Sequence, residues 1–493
     1  MGLITTKLAV GAVWNAASQF GAQGVNFVVT LVLAALLAPS AFGLVGMVTV
    51  FTGFFSYLTE FGLTPSLIQK KEIDEVDEHT VFWTTVGLSV VLYGLVFLGA
   101  PLIGRFYREP QLVPMVRVLF ATFLFSPLVL VPEAILKKRL DYPTIAQAEL
   151  VGTVVSGLVA VGMAIAGLGV WSLVFQPMVR TLVKGVGLWI KTKWRPRFIF
   201  SVPRLRELLS FGIMFTANNL LVYVAENVHY LIVGRLIGSR ALGLYTLAFR
   251  ISKYPFMKGW QVFGQMLFPA FAQIRENRER LLRSYRKSDG FAVVVLVPLL
   301  VAVFAGVDSF VVAIIGSEWE VIQPIVRFLV AYMVVFSLAL PDVSVLLALG
   351  KVRAVVLYKV VYGAALAVLG YVATTDYGVI GMAAAYSGVS MVYATSIKFK
   401  VKSELGLSSV AALLPNWRVL MGAVGSVAGA VLANVFLRPG LLHLGVLGLV
   451  IAGAVCAQLV ALGVVNLRAK SLHFDMILPA HHRPNVHDSA ATQ

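Results

Sequence analysis

Apolar runs of 18 or more residues recur from one end of this chain to the other. A run of that length is what a helix needs to cross the hydrocarbon core of a bilayer. Only helices and closed barrels satisfy their own backbone there. The period-2 alternation of a membrane barrel is absent, so the runs read as helices. At 59% hydrophobic and 13% charged residues, the chain carries about half the charge of an ordinary soluble domain. The expected fold class is all-α integral membrane. Fourteen transmembrane helices are read at about 10–36, 41–64, 80–104, 112–136, 143–167, 169–190, 210–237, 241–270, 290–315, 322–349, 353–374, 377–398, 413–437 and 441–467.

Alternate loops then separate the basic residues. One set of loops and ends holds 26 Lys and Arg, the other only Arg105, Arg108, Arg240 and Arg438. Such a split places both termini in the cytoplasm. It also explains most of the +17 net charge as topology, which removes the reason to expect nucleic acid. No link between spans has room for a folded extramembrane domain. The longest, near 191–209 and 271–289, are basic and are expected to form amphipathic surface helices. The first run, with Lys7 ahead of it, reads as a retained helix rather than a cleaved signal because of its length and its internal amides. Cys456 is the only cysteine, so no intramolecular disulfide forms and small apolar filler is the expected role. The residues after Lys470 are expected to be a disordered cytoplasmic tail, and no metal site is assigned to its histidines.

A repeat runs through this pattern. Ala41-Phe42-Gly43-Leu44 returns as Ala241-Leu242-Gly243-Leu244, and Pro132-Glu133 returns as Pro341-Asp342. Each unit holds six spans, an even number, so both copies enter the membrane the same way and a pseudo-twofold axis along the membrane normal follows. The expected architecture is two six-helix bundles around a central cavity plus two extra C-terminal helices. Its domains are 1–200, 201–403, 404–471 and the tail 472–493.

Polar residues inside the spans indicate where water goes. Asn15, Gln19, Gln23 and Asn26 share a stripe roughly 80° wide on the first helix. Gln176, Arg180 and Lys184 share one face of the sixth. Asn218, Asn219, Glu226 and His229 cluster on the seventh, and Arg250, Lys253, Lys258, Gln261 and Gln265 on the eighth. Amides and cations facing lipid are costly, so the stripes are expected to line a wet cavity. Single charges such as Glu60, Glu149 and Lys359 are expected to tie helices together. Counted against Glu226 alone, the five cations make a positive chamber suited to phosphate or diphosphate oxygens, while the amides suit sugar hydroxyls. A carrier of hydrophobic cations calls for acids and aromatics instead. A glycosyltransferase or polymerase calls for a catalytic loop that this chain lacks, and no phosphate-binding loop, zinc-protease motif or nucleophile elbow is present.

The run Glu60-Phe61-Gly62-Leu63-Thr64-Pro65-Ser66-Leu67-Ile68-Gln69-Lys70-Lys71 resembles the end of the second helix of bacterial polysaccharide flippases. Ile232 to Gly238 with Ala241 to Tyr245, and Pro132 to Tyr142, resemble two further helix junctions of the same Wzx-type group. These belong to the multidrug/oligosaccharidyl-lipid/polysaccharide exporter superfamily, and the exopolysaccharide branch is the most similar. The resemblance implies a flippase, not an enzyme, that moves an undecaprenyl-diphosphate-linked oligosaccharide across the bacterial inner membrane by alternating access. It also implies polysaccharide polymerase or export machinery as possible partners; a monomer without cofactor is expected. On that reading Arg180, Lys184, Arg250, Lys253 and Lys258 hold the diphosphate, and Asn15, Gln19, Gln23, Asn26, Gln176, Asn218, Asn219 and Gln261 line the cavity. Relatives often carry an acid where this chain has His229, so Glu226 and His229 are the candidates for coupling to protons or sodium. The alternative within the superfamily is a drug/cation antiporter.

Overall fold

The computed structural model describes residues 21–70, 74–253, 267–337 and 339–407, with short pieces at 444, 447, 465–466 and 471–472. The expected spans at 413–437 and 441–467, the tail, Cys456 and the first twenty residues lie almost wholly outside the described residues. Among the described residues regular structure is helical apart from the antiparallel pairing of Val465–Asn466 with Ser471–Leu472.

The helices are α1 (Gly21–Leu36), α2 (Pro39–Glu60), α3 (Leu63–Gln69), α4 (Glu75–Tyr107) and α5 (Leu112–Lys138). After them come α6 (Tyr142–Ile165), α7 (Trp171–Thr192), α8 (Val202–Leu236) and α9 (Ser239–Ser252). The last four are α10 (Arg278–Phe310), α11 (Ile322–Ser337), α12 (Asp342–Ala348) and α13 (Val352–Glu404). Among the described residues six helices are long and apolar enough to cross a membrane, or up to eight if each bent pair is one span. α13 holds two of the spans expected from sequence. Gly378, at φ +61°, breaks it, and a Cβ on Gly381 would overlap the Ala373 carbonyl, so the chain folds back there.

The chain packs as two compact units. One comprises Met1–Gly259, Phe310–Leu329 and Lys359–Val389; the other comprises Trp260–Ser309, Val330–Tyr358 and Ser390–Gln493. In the first, α2 and α9 touch backbone to backbone at the two copies of the repeated tetrapeptide. A Cβ on Gly43 would overlap the Ser239 carbonyl, and a Cβ on Gly243 would overlap the Pro39 carbonyl. Close approach of this kind is what small residues permit between helices in lipid. The repeat is thus a contact as well as a pattern.

The link expected as a surface helix at 191–209 is different. Lys193 is left-handed and ends α7, residues 193–201 are irregular with Pro196 among them, and Pro203 lies in the first turn of α8. The segment is held by Trp83, whose indole donates to the Arg197 carbonyl at 2.7 Å, and by Trp194, which donates to Glu78 at 2.8 Å. Its cations meet the start of α4: Arg204 pairs with Asp74 at 3.0 Å and Arg197 with Glu75 at 2.8 Å. Asp74 also caps α4, accepting from the Asp77 amide at 2.8 Å, while Asp77 accepts in return. The Asp77 amide, with Arg204 beside it, holds the Asp74 carboxyl below its ordinary range. That contribution is therefore present at neutral pH and lost as pH falls through the carboxylate range. Asp74→Ala is expected to cost about 1 kcal/mol, read as a lower melting temperature at pH 7 whose difference from wild type narrows in acid.

The second unit surrounds an apolar core of Leu267, Phe271, Ile274, Leu281, Val345, Leu346, Ile397, Val401 and Leu405. The basic link expected as a separate surface helix near 271–289 instead runs, from Arg278 on, as the first turns of α10.

Candidate functional site

A cavity of about 670 Å³ opens within the first unit, lined by α1, α2, α5, α7, α8 and α9. α1 contributes Gln23, Asn26 and Thr30; α2 contributes Thr49, Thr52 and Ser56; α5 contributes Thr122. Gln176 and Arg180 come from α7, Tyr223 and Asn227 from α8, and Arg250 from α9. On α1, α2, α7 and α8 these residues recur at three- or four-residue steps, so an otherwise apolar helix turns one polar face inward.

Thr122 apart, the hydroxyl hydrogens of this wall are already committed among the described residues. Thr30 donates to the Asn26 carbonyl at 2.8 Å, Thr49 to Val45 at 2.7 Å, and Ser56 to Gly53 at 2.7 Å. Tyr223 donates across helices to the Val50 carbonyl at 2.9 Å. What these oxygens can still offer is acceptance, which suits a guest rich in O–H donors. The amides of Gln23, Asn26 and Gln176 add donors and acceptors, and the two arginines add only donors.

The cations divide into two kinds. Arg180 pairs with Glu149. Lys184 bridges Glu133 at 2.7 Å and Glu149 at 2.9 Å, and Lys137 reaches Glu133 at 2.8 Å. The sequence count set Glu226 alone against five cations, and the structure corrects it: Glu133 and Glu149, from α5 and α6, compensate Arg180 and Lys184. Burial of two carboxylates is tolerable only because these cations meet them. Arg250 is different. Its nearest polar partner among the described residues is the Thr30 hydroxyl at 3.5 Å, and no described carboxylate pairs with it.

The other expected site residues fall as follows. Asn15, Gln19, Lys258 and Gln261 lie outside the described residues. Gln23, Asn26, Gln176, Arg180 and Arg250 line the cavity, whereas Lys184, Asn218 and Asn219 are not among its described lining. On α8 the lining moves one to two turns on, to Tyr223 and Asn227. Lys253 turns to the aromatic cluster, donating to the Tyr386 hydroxyl at 2.8 Å. Glu226 pairs with Lys359 at 2.6 Å. His229 is fully buried among Tyr230, Tyr245, Phe249 and Tyr386, its ring stacked on Phe249 at 4.8 Å. The hydroxyl stripe of α2, with Thr49, Thr52 and Ser56 at steps of three and four, was readable in the sequence and was missed.

Comparison with known proteins identifies the family and the fold. A family model described as polysaccharide biosynthesis protein matches residues 32–324. The lipopolysaccharide biosynthesis protein WzxC of Escherichia coli (strain K12) is 29% identical over 70% of this chain and 71% of its own. The teichuronic acid biosynthesis protein TuaB of Bacillus subtilis (strain 168) is 27% identical over 71% of this chain and 73% of its own. Among solved structures, the lipid II flippase MurJ in an inward closed conformation superposes with a TM-score of 0.72 at 10% identity, covering 90% of this chain and 98% of that one. An inward-facing multidrug resistance transporter of the MATE family gives 0.62 at 15% identity, covering 80% of this chain and 98% of that one. This multi-pass membrane chain therefore belongs to the polysaccharide biosynthesis protein family and has the fold of the multidrug/oligosaccharidyl-lipid/polysaccharide exporter superfamily.

Proposed function

We propose that this chain is a flippase, not an enzyme, that carries a lipid-linked oligosaccharide on undecaprenyl diphosphate from the inner to the outer leaflet of the bacterial inner membrane. The observation that carries the reading is the cavity itself, with an acceptor-rich wall suited to sugar hydroxyls and one arginine, Arg250, left for an anion. The glycan would occupy the amide and hydroxyl wall while the diphosphate meets Arg250 and, in competition with Glu149, Arg180. Lys184 and Lys253 would supply attraction rather than direct contact, and Lys258 remains a candidate for the diphosphate. The names of WzxC and TuaB give those relatives parts in lipopolysaccharide and teichuronic acid biosynthesis, and polysaccharide biosynthesis is the context proposed here.

The wider reading keeps fourteen helices in two pseudo-twofold bundles, 1–200 and 201–403, with 404–471 forming two extra helices and both termini cytoplasmic. The reciprocal contact of Gly43 and Gly243 supports that symmetry. Rocking of the bundles would expose the cavity to each side in turn, in a monomer that hands its cargo to polymerase and export machinery. Glu226 and His229 remain candidates for proton or sodium coupling. A drug/cation antiporter shares the fold, and an arginine without a carboxylate partner in the cavity disfavours it.

The test is chemical. Protein purified from cells making surface polysaccharide is extracted, and its tightly bound lipids are identified by mass spectrometry. An undecaprenyl-diphosphate-linked glycan at near-stoichiometric level is expected. Bulk phospholipid alone, with polysaccharide export intact in a strain lacking the protein, overturns the proposal.

A further inference from the structure

The second unit buries a set of ionisable groups that the cavity does not use. Tyr285 and Asp289 lie one turn apart on α10, Asp342 begins α12, and Lys398 lies on α13. Tyr285, Asp289 and Asp342 have no solvent exposure, and Lys398 only 7%. Lys398 donates to the Tyr285 hydroxyl at 2.7 Å, and Tyr285 donates to Asp342 at 2.5 Å. The ammonium stands 3.8 Å from a carboxylate oxygen of Asp289 and 3.8 Å from one of Asp342. Among the described residues neither oxygen of Asp289 has a hydrogen-bond partner, and Asp342 Oδ2 has none. The apolar core of the unit, with Leu281, Val345, Ile397 and Val401, seals the cluster, and Tyr358 and Tyr393 lie at its margin.

Two buried carboxylates facing one ammonium leave one negative charge over. An uncompensated buried charge is among the costliest things a fold can contain, and the usual remedy is to neutralise it. A sodium ion suits the site poorly, because the Lys398 ammonium already stands where a cation would bridge the two acids. The remaining cation is a proton. We infer that Asp289, Asp342 and Lys398 form a proton-binding site, with the proton carried on Asp289. The inference goes beyond the proposed cargo site and does not depend on it.

The equal distances make the site two-positioned. With Asp289 protonated, the ammonium belongs to Asp342 through Tyr285; when Asp289 releases its proton, its new charge draws the ammonium across. Among the described residues the charged groups that face Asp289 are Lys398 and Asp342, with Tyr285 on its own helix. Burial is the largest influence on Asp289; Lys398 opposes it and Asp342 reinforces it, and the carboxyl is pushed up to about 8. Asp289 lies ahead of the apolar span Leu296–Ile315, at the end of α10 that the basic loops place toward the cytoplasm, where protons exchange.

Difference infrared spectroscopy of the purified full-length protein, without cargo, reads the protonated carboxyl band as pH is raised. The wild type is expected to lose one such band per chain with a midpoint near pH 8. Asp289→Asn should abolish it. Asp342→Asn should keep it but move the midpoint down by about one pH unit or more, since a like charge is removed while Lys398 stays. A wild type without a band at neutral pH, or a band unchanged in Asp289→Asn, overturns the inference. Should Asp289→Asn not fold, the wild-type titration and Asp342→Asn decide by themselves: a midpoint that does not move assigns the proton elsewhere. Because no cargo is present, failure here leaves the flippase reading untouched, and failure of that reading leaves this result standing.

Discussion

Gly43→Ala and Gly243→Ala are each expected to lower the melting temperature of the detergent-purified protein sharply, by more than alanine at Gly46 or Gly53, where the added methyl meets only side chains. At both positions the added methyl collides with backbone, the Ser239 carbonyl in one case and the Pro39 carbonyl in the other. Backbone cannot rotate away as a side chain can, so the two helices must separate along the contact. Overpacking of this kind costs about 1–3 kcal/mol, and here it also forfeits the contacts on either side of the glycines. The double variant is expected to cost less than the sum, because one methyl already opens the gap that the other needs. Gly87→Ala and Gly94→Ala in α4 are the controls. Nothing lies within 4 Å of a Cβ at either, and alanine improves helix propensity by about 1 kcal/mol. Melting curves that place Gly43→Ala alongside Gly94→Ala would sink the claim that the repeated tetrapeptide is a packing seam.

That seam illustrates what was legible in the sequence. The offset between Gly43 and Gly243 was visible as repetition, since duplicated spans keep the same small residues where the same helices approach. That the two copies would meet one another was not visible, because periodicity describes one helix at a time. The cavity divides along the same line. Gln23 and Asn26, or Gln176 and Arg180, share a helix face by spacing alone, and the structure finds them in one lining. Glu133 and Glu149 belong to different helices, and no spacing announces that both close on Lys184. Treating each as isolated made the chamber look more positive than it is. His229 drew attention as a titratable group, yet its neighbours Phe249 and Tyr386 come from sequence positions too distant for a helix wheel to show. Asp289 escaped notice for the opposite reason. It sits just before an apolar span, in a basic link where a carboxylate looks like ordinary surface, and only the packing of α10, α12 and α13 buries it.

Arg250→Ala should then have the largest effect on transport of any single change in the cavity. Of the two arginines that line it, Arg180 already has Glu149, so an arriving anion must displace a carboxylate before Arg180 can help. Arg250 needs only to leave the Thr30 hydroxyl, at 3.5 Å a weak partner. Two charge-assisted hydrogen bonds to a diphosphate, at about 1.5 kcal/mol net each, amount to about 3 kcal/mol. That is about a hundredfold in affinity, and translocation at limiting cargo should fall by a similar factor. Arg250→Lys keeps the charge but not the planar fork and should lie between. Arg180→Ala should fall less than Arg250→Ala, because removing it also removes a pair rather than a free donor. Glu149→Gln, which releases Arg180, should recover part of the loss when combined with Arg250→Ala. The measurement is flipping of a lipid-diphosphate glycan in proteoliposomes, each variant normalised to folded protein by its melting curve. Folded Arg250→Ala that flips at the wild-type rate would mean that the phosphates pass elsewhere and that this cavity handles, at most, the sugar.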